Sequence, residues 1–118
     1  MEPERRPQAA IERVTAAAFR IPTDAPESDG TFAWDATTLV LVELRAGGVD
    51  ALGYSYTDAS AARLIDATLR ELVAGRDAFD AAAIVRDLHA AVRNLGSRGI
   101  AATAIAAIDV ALYPTGQL

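Results

Sequence analysis

Asp24, Glu27 and Asp29 form the first cluster of side chains in this sequence that could do chemistry. Carboxylates this close together invite a calcium reading. The spacing argues against it: a calcium loop of the EF-hand kind places acids at alternate positions and closes on a bidentate glutamate, and Pro26 and Trp34 break any such register. The three acids therefore read as solvated loop charge or as contacts to a ligand. Phe32 and Trp34 follow closely and can fold the loop back onto a sheet or wall a ligand. Tyr54 and Tyr56 stand two residues apart, each pairing an apolar ring with a hydroxyl that is easily satisfied in a half-buried position. His89 is the only histidine, and no Ser or Cys close in sequence supplies the partner that acid–base work needs. It reads as a partly covered helix residue. Asp109 interrupts an apolar run, where a carboxylate is expected to need a structural partner. Gly47-Gly48 is a turn, and neither a dinucleotide fingerprint nor a Walker sequence occurs. No residue is identified as catalytic or as a metal ligand.

Composition narrows the function classes further. There is no cysteine, which excludes disulfides, thiolate metal sites and a thiol nucleophile and suits the cytoplasm. A net charge of −5 spread along 118 residues argues against nucleic acid, which calls for clustered cations. Lysine is absent, so all eleven basic residues are arginine. Residues 1–10, with two prolines and mixed charge, read as a disordered tail and lack the apolar stretch of a secretory signal.

These side chains must be positioned by strands first and helices afterwards. Residues 11–21 predict a strand with Phe19 and Ile21 on one face and Val14, Ala16 and Ala18 on the other, ended by Pro22. Apolar residues on both faces imply a sheet covered on both sides. A loop of residues 22–35 follows, long enough to suggest a functional role. Residues 37–45 give the clearest strand, with Val40, Val42 and Leu44 on one face and Glu43 and Arg45 on the other. Gly47-Gly48 then turns the chain into a third strand, 49–56, with Leu52, Tyr54 and Tyr56 on one side. A helix capped by Asp58 or Ser60 buries Ala62, Ile65, Leu69, Leu72 and Val73. After Gly75-Arg-Asp-Ala-Phe-Asp80, with Asp80 as a cap, a second helix turns Ile84, Val85, Leu88, Val92 and Leu95 inward. The third helix, from Ile100 to Leu112, has no polar stripe and is expected to be covered on every side. It is too short to cross a bilayer, so the cover must be protein. The expected fold is α+β: a three-stranded antiparallel meander followed by a three-helix bundle.

The meander, the Gly75-Arg-Asp-Ala-Phe-Asp80 turn and the run Gly99-Ile-Ala-Ala-Thr-Ala-Ile-Ala-Ala-Ile-Asp-Val-Ala-Leu112 together resemble the N-terminal capping domain of the enolase superfamily, in its mandelate racemase and muconate lactonizing branch. The resemblance spans residues 11–112. In that family the last helix leads through a Trp-Asp-Leu segment into a catalytic (β/α) barrel. Here Tyr113 stands in place of the Trp, and residues 113–118 form a short tail that does not resemble what should follow. The resemblance therefore implies a capping domain truncated before its barrel and inactive alone. The parent chemistry it implies is magnesium-dependent removal of a proton beside a carboxylate, as in a racemase, a cycloisomerase or an acid-sugar dehydratase. The base and the magnesium ligands would all lie in the barrel. To the capping domain the resemblance assigns substrate choice, through Thr23, Asp24, Glu27, Phe32 and Trp34 after the first strand and Tyr54 and Tyr56 at the end of the third. The partners it implies are a barrel, in the same or a separate chain, or further copies of the chain, with a carboxylate small molecule in the complete enzyme; neither nucleic acid nor membrane is expected. A second expectation is a non-catalytic module that self-associates through the third helix.

Overall fold

The structure, a computed structural model, describes residues 8–28, 30, 33–96 and 98–115. Three antiparallel strands come first: β1 (Ile11–Ser28), β2 (Ala33–Ala46) and β3 (Val49–Tyr56), in the order β1-β2-β3. Between β2 and β3 the two turn residues Gly47 and Gly48 take φ of 57° and 78°, the left-handed conformation that a two-residue hairpin requires. Helix α1 (60–73) is α-helical over Ser60–Leu64 and Arg70–Val73, with a π-helical turn at Ile65–Leu69 between them. Helices α2 (Ala81–Ala91) and α3 (Ile100–Thr115) complete the α+β order. None of the described helices is long and apolar enough to cross a membrane.

Period-two alternation decides which face of the sheet is inside. Val14, Val40, Val42 and Leu44 are buried on one face, against Ile65, Leu69 and Val73 of α1, Ile84 and Leu88 of α2, and Ile105, Ile108 and Leu112 of α3. Helix α3 lies directly on β3. A Cβ placed on Gly53 would fall within 3.0 Å of the Ala107 carbonyl oxygen and the Ala111 backbone nitrogen, so only glycine admits the helix at this depth. Polar contacts fix the helix lengthwise: the Ser55 hydroxyl donates to the Thr103 carbonyl at 2.8 Å, and the Thr57 and Thr103 hydroxyls pair at 2.8 Å.

The outer edge of β1 is sealed near its start by the turn after α1. Ile11 N–H donates to the Arg76 carbonyl and Gly75 N–H to the Ile11 carbonyl, both at 2.8 Å. Asp77 accepts from the backbone N–H of Ala9 and Phe79 at 3.0 Å each. Asp77 thus does the capping expected of Asp80, which makes no side-chain cap bond to α2. Further along the same edge, Asp66 in the π-helical turn accepts from Ala16 N–H at 3.2 Å. This stitching begins with Ala9, which is buried, two residues ahead of the expected strand.

Several expectations change. Pro22 does not end β1, because β1 is an edge strand whose partner lies on one side only, so a missing N–H on the other side costs no ladder bond. Most of the expected 22–35 loop is therefore strand, with a register shift between Pro22 and Glu27. The sheet is not covered on both faces: Phe19 and Ile21 are exposed, as are Leu52, Tyr54 and Tyr56. Nor is α3 covered all round. Its Ala101, Ala104, Ile105, Ala107, Ile108, Ala111 and Leu112 are buried, while Ala106, Asp109, Val110 and Tyr113 form an exposed stripe. Asp109 consequently sits in solvent and needs no buried partner. Leu72 and Leu95 point outward, Leu95 because α2 ends at Ala91 and a 3₁₀ turn, Arg93–Leu95, changes the helical phase. His89 is exposed rather than partly covered. Helix α3 continues through Pro114 to Thr115, past the expected end at Leu112.

Two outcomes follow from this packing. Gly53→Ala should cost about 3 kcal/mol in urea unfolding, since the α3 backbone must move to admit one methyl group. At the start of α1, the Asp58 carboxyl is held below the usual carboxylate range by Ser60, through its hydroxyl first and its backbone N–H second. Only the N–H meets full hydrogen-bond geometry, at 2.8 Å, and the hydroxyl oxygen is buried without an aligned partner. A lowered folded-state pKa stabilises above the unfolded value of about 3.9 and ceases to do so as pH falls through the lowered one. The difference in thermal midpoint between the natural chain and Asp58→Ala should be full near neutral pH and close on acidification below that range.

Candidate functional site

The ladder between β2 and β3 ends at the pair Leu39–Tyr56, whereas the ladder between β1 and β2 runs on to Ser28–Ala33. Beyond Tyr56 the sheet is therefore a two-stranded ribbon. From Leu39 out to Ala33 it reaches about 20 Å at the usual strand rise, and the molecule is correspondingly drawn out to 67 × 31 × 22 Å. At its root Ala18, Phe19, Arg20, Ile21 and Pro22 are all exposed, so neither face is covered by the rest of the domain. A bare two-stranded hairpin is marginal in water. Arg20 and Asp35 pair across it at 3.4 Å, but both are largely exposed and such a pair adds little.

Four of the seven expected site residues, Thr23, Asp24, Glu27 and Trp34, belong to the strands of this ribbon. Thr23 is half-buried just past Pro22. Asp24 lies in the stretch where the register shifts, and Glu27 stands directly opposite Trp34. The side chains of Asp24, Glu27 and Trp34, and the whole of Phe32 and Asp29, lie outside the described residues. Tyr54 and Tyr56 are on the outer face of β3, 55% and 64% exposed, with ring centroids 6.0 Å apart in an edge-to-face arrangement at 79°. Trp34 is five residues along β2 from the Leu39 that faces Tyr56, or about 17 Å. By backbone position, Thr23, Asp24, Glu27 and Trp34 are spread along the ribbon, away from the two tyrosines on β3.

Around the two tyrosines lies a surface that the sequence reading did not assemble. Cross-strand register sets Phe19, Leu39 and Tyr56 in one row, Ala17, Leu41 and Tyr54 in the next, and Thr15, Glu43 and Leu52 in a third. The signal was present in the alternation of Leu39 and Leu41 with Val40 and Val42, which makes both faces of β2 apolar. Charges gather at the hairpin end of this face. Arg45 donates to Asp50 and pairs with Glu12, both at 3.0 Å, and Arg13 approaches Asp50 at 3.7 Å. The hydrogen bond to Asp50, more than any other contact, raises the Arg45 pKa still further above its ordinary value, so Arg45 remains a fixed cation. Separately, Leu52, Asp109, Val110, Tyr113 and Pro114 line an open groove of about 540 Å³ where the exposed stripe of α3 meets the edge of the sheet.

No group of three or more His, Cys, Asp or Glu among the described residues could hold a metal ion. The magnesium that the resemblance implies is expected on the barrel, and no step of a reaction is assigned to a metal on this domain. What the arrangement offers is a projecting ribbon, a pair of phenols at its foot and two uncovered apolar surfaces.

Residues 13–115 match the family described as "Mandelate racemase / muconate lactonizing enzyme, N-terminal domain". A 3,6-anhydro-alpha-L-galactonate cycloisomerase of Streptomyces coelicolor is 33% identical over a 109-residue alignment that covers 87% of this chain and 30% of that protein. Among solved structures, a mandelate racemase/muconate lactonizing enzyme-like protein from Rubrobacter xylanophilus superposes with a TM-score of 0.87 at 42% identity, covering 91% of this chain and 30% of the other. A racemase from Streptomyces coelicolor with bound magnesium gives 0.83 at 32% identity, covering 87% and 30%. The chain thus spans about 30% of the length of each of these relatives.

Because Tyr54 and Tyr56 face solvent, Tyr54→Ala and Tyr56→Ala should each change unfolding free energy by less than about 0.5 kcal/mol. A larger loss in chemical denaturation would make them parts of the core instead of contact residues.

Proposed function

The chain belongs to the mandelate racemase/muconate lactonizing enzyme N-terminal domain family, and on that premise we propose that it is the capping, substrate-selecting part of an enzyme whose catalytic barrel lies outside these 118 residues. The reaction we propose for the whole is magnesium-dependent removal of a proton next to a carboxylate, ending in racemisation, cycloisomerisation or dehydration. The base and the magnesium belong to the barrel. By itself the domain is inert.

The observation that supports this most directly is the bare ribbon. The apolar residues at its root, Phe19 and Ile21, are exposed and gain nothing by facing water, and the ribbon becomes useful when it closes over a site built by another domain. Closure of that kind excludes water and brings side chains against the part of the substrate remote from the reacting carbon. Thr23, Asp24, Glu27, Phe32 and Trp34 would supply those contacts from the ribbon, and Tyr54 and Tyr56 from its foot. The relative that acts on an anhydrogalactonate supports a sugar-derived carboxylate as the substrate class. The acids of the ribbon suit its hydroxyl groups, to which carboxylates are good acceptors. A sequence without cysteine suits the cytoplasm. Self-association through α3 receives less support, since the inner face of that helix is already taken up by its own sheet.

The test joins this chain to the rest of the Rubrobacter relative. The chain alone, with magnesium and a panel of acid sugars, should give no turnover, and the chimaera should be active. Trp34→Ala in the chimaera should change the ratio of kcat/KM between two acid sugars by about 10- to 100-fold while leaving the magnesium dependence as it was. Turnover by the chain alone, or equal losses on every substrate, would contradict the proposal.

A further inference from the structure

Around Gly53 the contact between α3 and β3 is alanine against glycine, and apolar contact has no direction of its own. At the end of the strand three hydroxyl residues meet instead. Ser55 and Thr57, both half-buried against α3, reach one residue in the first turn of that helix. The Ser55 hydroxyl donates to the Thr103 carbonyl at 2.8 Å, and the Thr57 and Thr103 hydroxyls lie 2.8 Å apart. A third bond fixes the direction of the second. A threonine hydroxyl carries one hydrogen, and that of Thr103 goes to the Ile100 carbonyl at 2.7 Å, so Thr57 is the donor to Thr103. The backbone N–H of Thr57 is held as well, by the Thr38 carbonyl of β2 at 3.1 Å. Hydroxyl bonds of this kind specify a position where apolar contact would tolerate sliding.

Tyr56 stands between the two anchored residues. It belongs to the last pair of the β2–β3 ladder, where a strand end frays unless something holds it. Its ring is 64% exposed and meets the Tyr54 ring edge to face, so the backbone beneath places the two phenols more than any packing around them. Tyr54 is flanked in the same way, by Gly53 under α3 and by Ser55. We propose that Thr103 is a positioning residue for these phenols, and for Tyr56 above all. Its hydroxyl and its carbonyl together set where the end of β3 lies, and thereby which substrates the complete enzyme prefers. Thr103 reaches the strand from the inner face while the rings stand on the outer one, so it acts through the strand. The inference rests on the capping role proposed above for the two tyrosines.

The test uses the chimaera with the rest of the Rubrobacter relative and reads the ratio of kcat/KM between two acid sugars. Thr103→Val keeps the shape of the side chain and removes the acceptor for Thr57; it should shift the ratio about tenfold, whereas Thr103→Ser, which keeps the hydroxyl, should stay within about twofold of the natural protein. In a Tyr56→Ala background Thr103→Val should add nothing, as expected of a residue that acts through another. Thr57→Val removes the same bond from the strand side and should shift the ratio in the same direction, which keeps the test decisive even where valine at position 103 prevents folding. A shift that persists undiminished without the Tyr56 ring would make Thr103 a general support of the fold and overturn the proposal. No shift from either valine, while Tyr56→Ala does change the ratio, would overturn it and leave the capping role standing. An unchanged ratio in Tyr56→Ala would remove that tyrosine from substrate selection, and this inference with it.

Discussion

The rest of the domain depends on the contact between the backbone of α3 and residue 53. Because Gly53 has no side chain, the Ala107 and Ala111 turns of the helix settle onto β3 at backbone distance. The small residues Ala101, Ala104, Ala107 and Ala111 are buried along the same side of the helix. The helix occupies one face of the sheet so completely that α1 and α2 pack beside it on that face and leave the other bare. A sheet clad on one side, with two strands longer than the third, necessarily has an outer face and a free ribbon. Both surfaces discussed above follow from that asymmetry.

Helix α3 also accounts for its own residual exposure. A cylinder pressed on a sheet buries the half it lies on, and neighbouring helices cover part of the remainder. Ala106, Asp109, Val110 and Tyr113 recur at the spacing of one helical face and remain outside. Three of the four are apolar or aromatic, and Val110 and Tyr113 line an open groove with Leu52 and Pro114.

Much of the fold was legible in the sequence because period and punctuation agreed. Val40, Val42 and Leu44 alternate, Gly47-Gly48 marks the turn, and Ile65, Leu69 and Val73 keep helical spacing; each element formed where those signals fell. Most of the misreadings share one physical cause. Hydrophobicity reports that a residue prefers cover without saying which chain provides it, so Phe19, Ile21 and the outer side of α3 were expected to be buried within the domain. Pro22 misled for a different reason, since its missing N–H matters only where both sides of a strand are paired, and edge position is not written locally. Of the candidate site, the residue types and their place on the first two strands could be read in advance. That Tyr56 stands at the foot of a ribbon whose far end bears Trp34 depends on cross-strand register, and that required the structure.

The central claim is that the ribbon is built to be covered by another domain. Hydrogen exchange of the backbone amides of residues 18–28 and 33–37 measures this most directly, in the chain alone and after joining it to the rest of the Rubrobacter relative. Alone, these amides should exchange near the rate of an open hairpin, while residues 40–45 in the centre of the sheet stay protected. With the second domain in place they should slow by about a hundredfold or more, the protection expected when local opening costs roughly 3 kcal/mol more. Strong protection of the ribbon in the isolated chain, or none in the joined protein, would contradict the account.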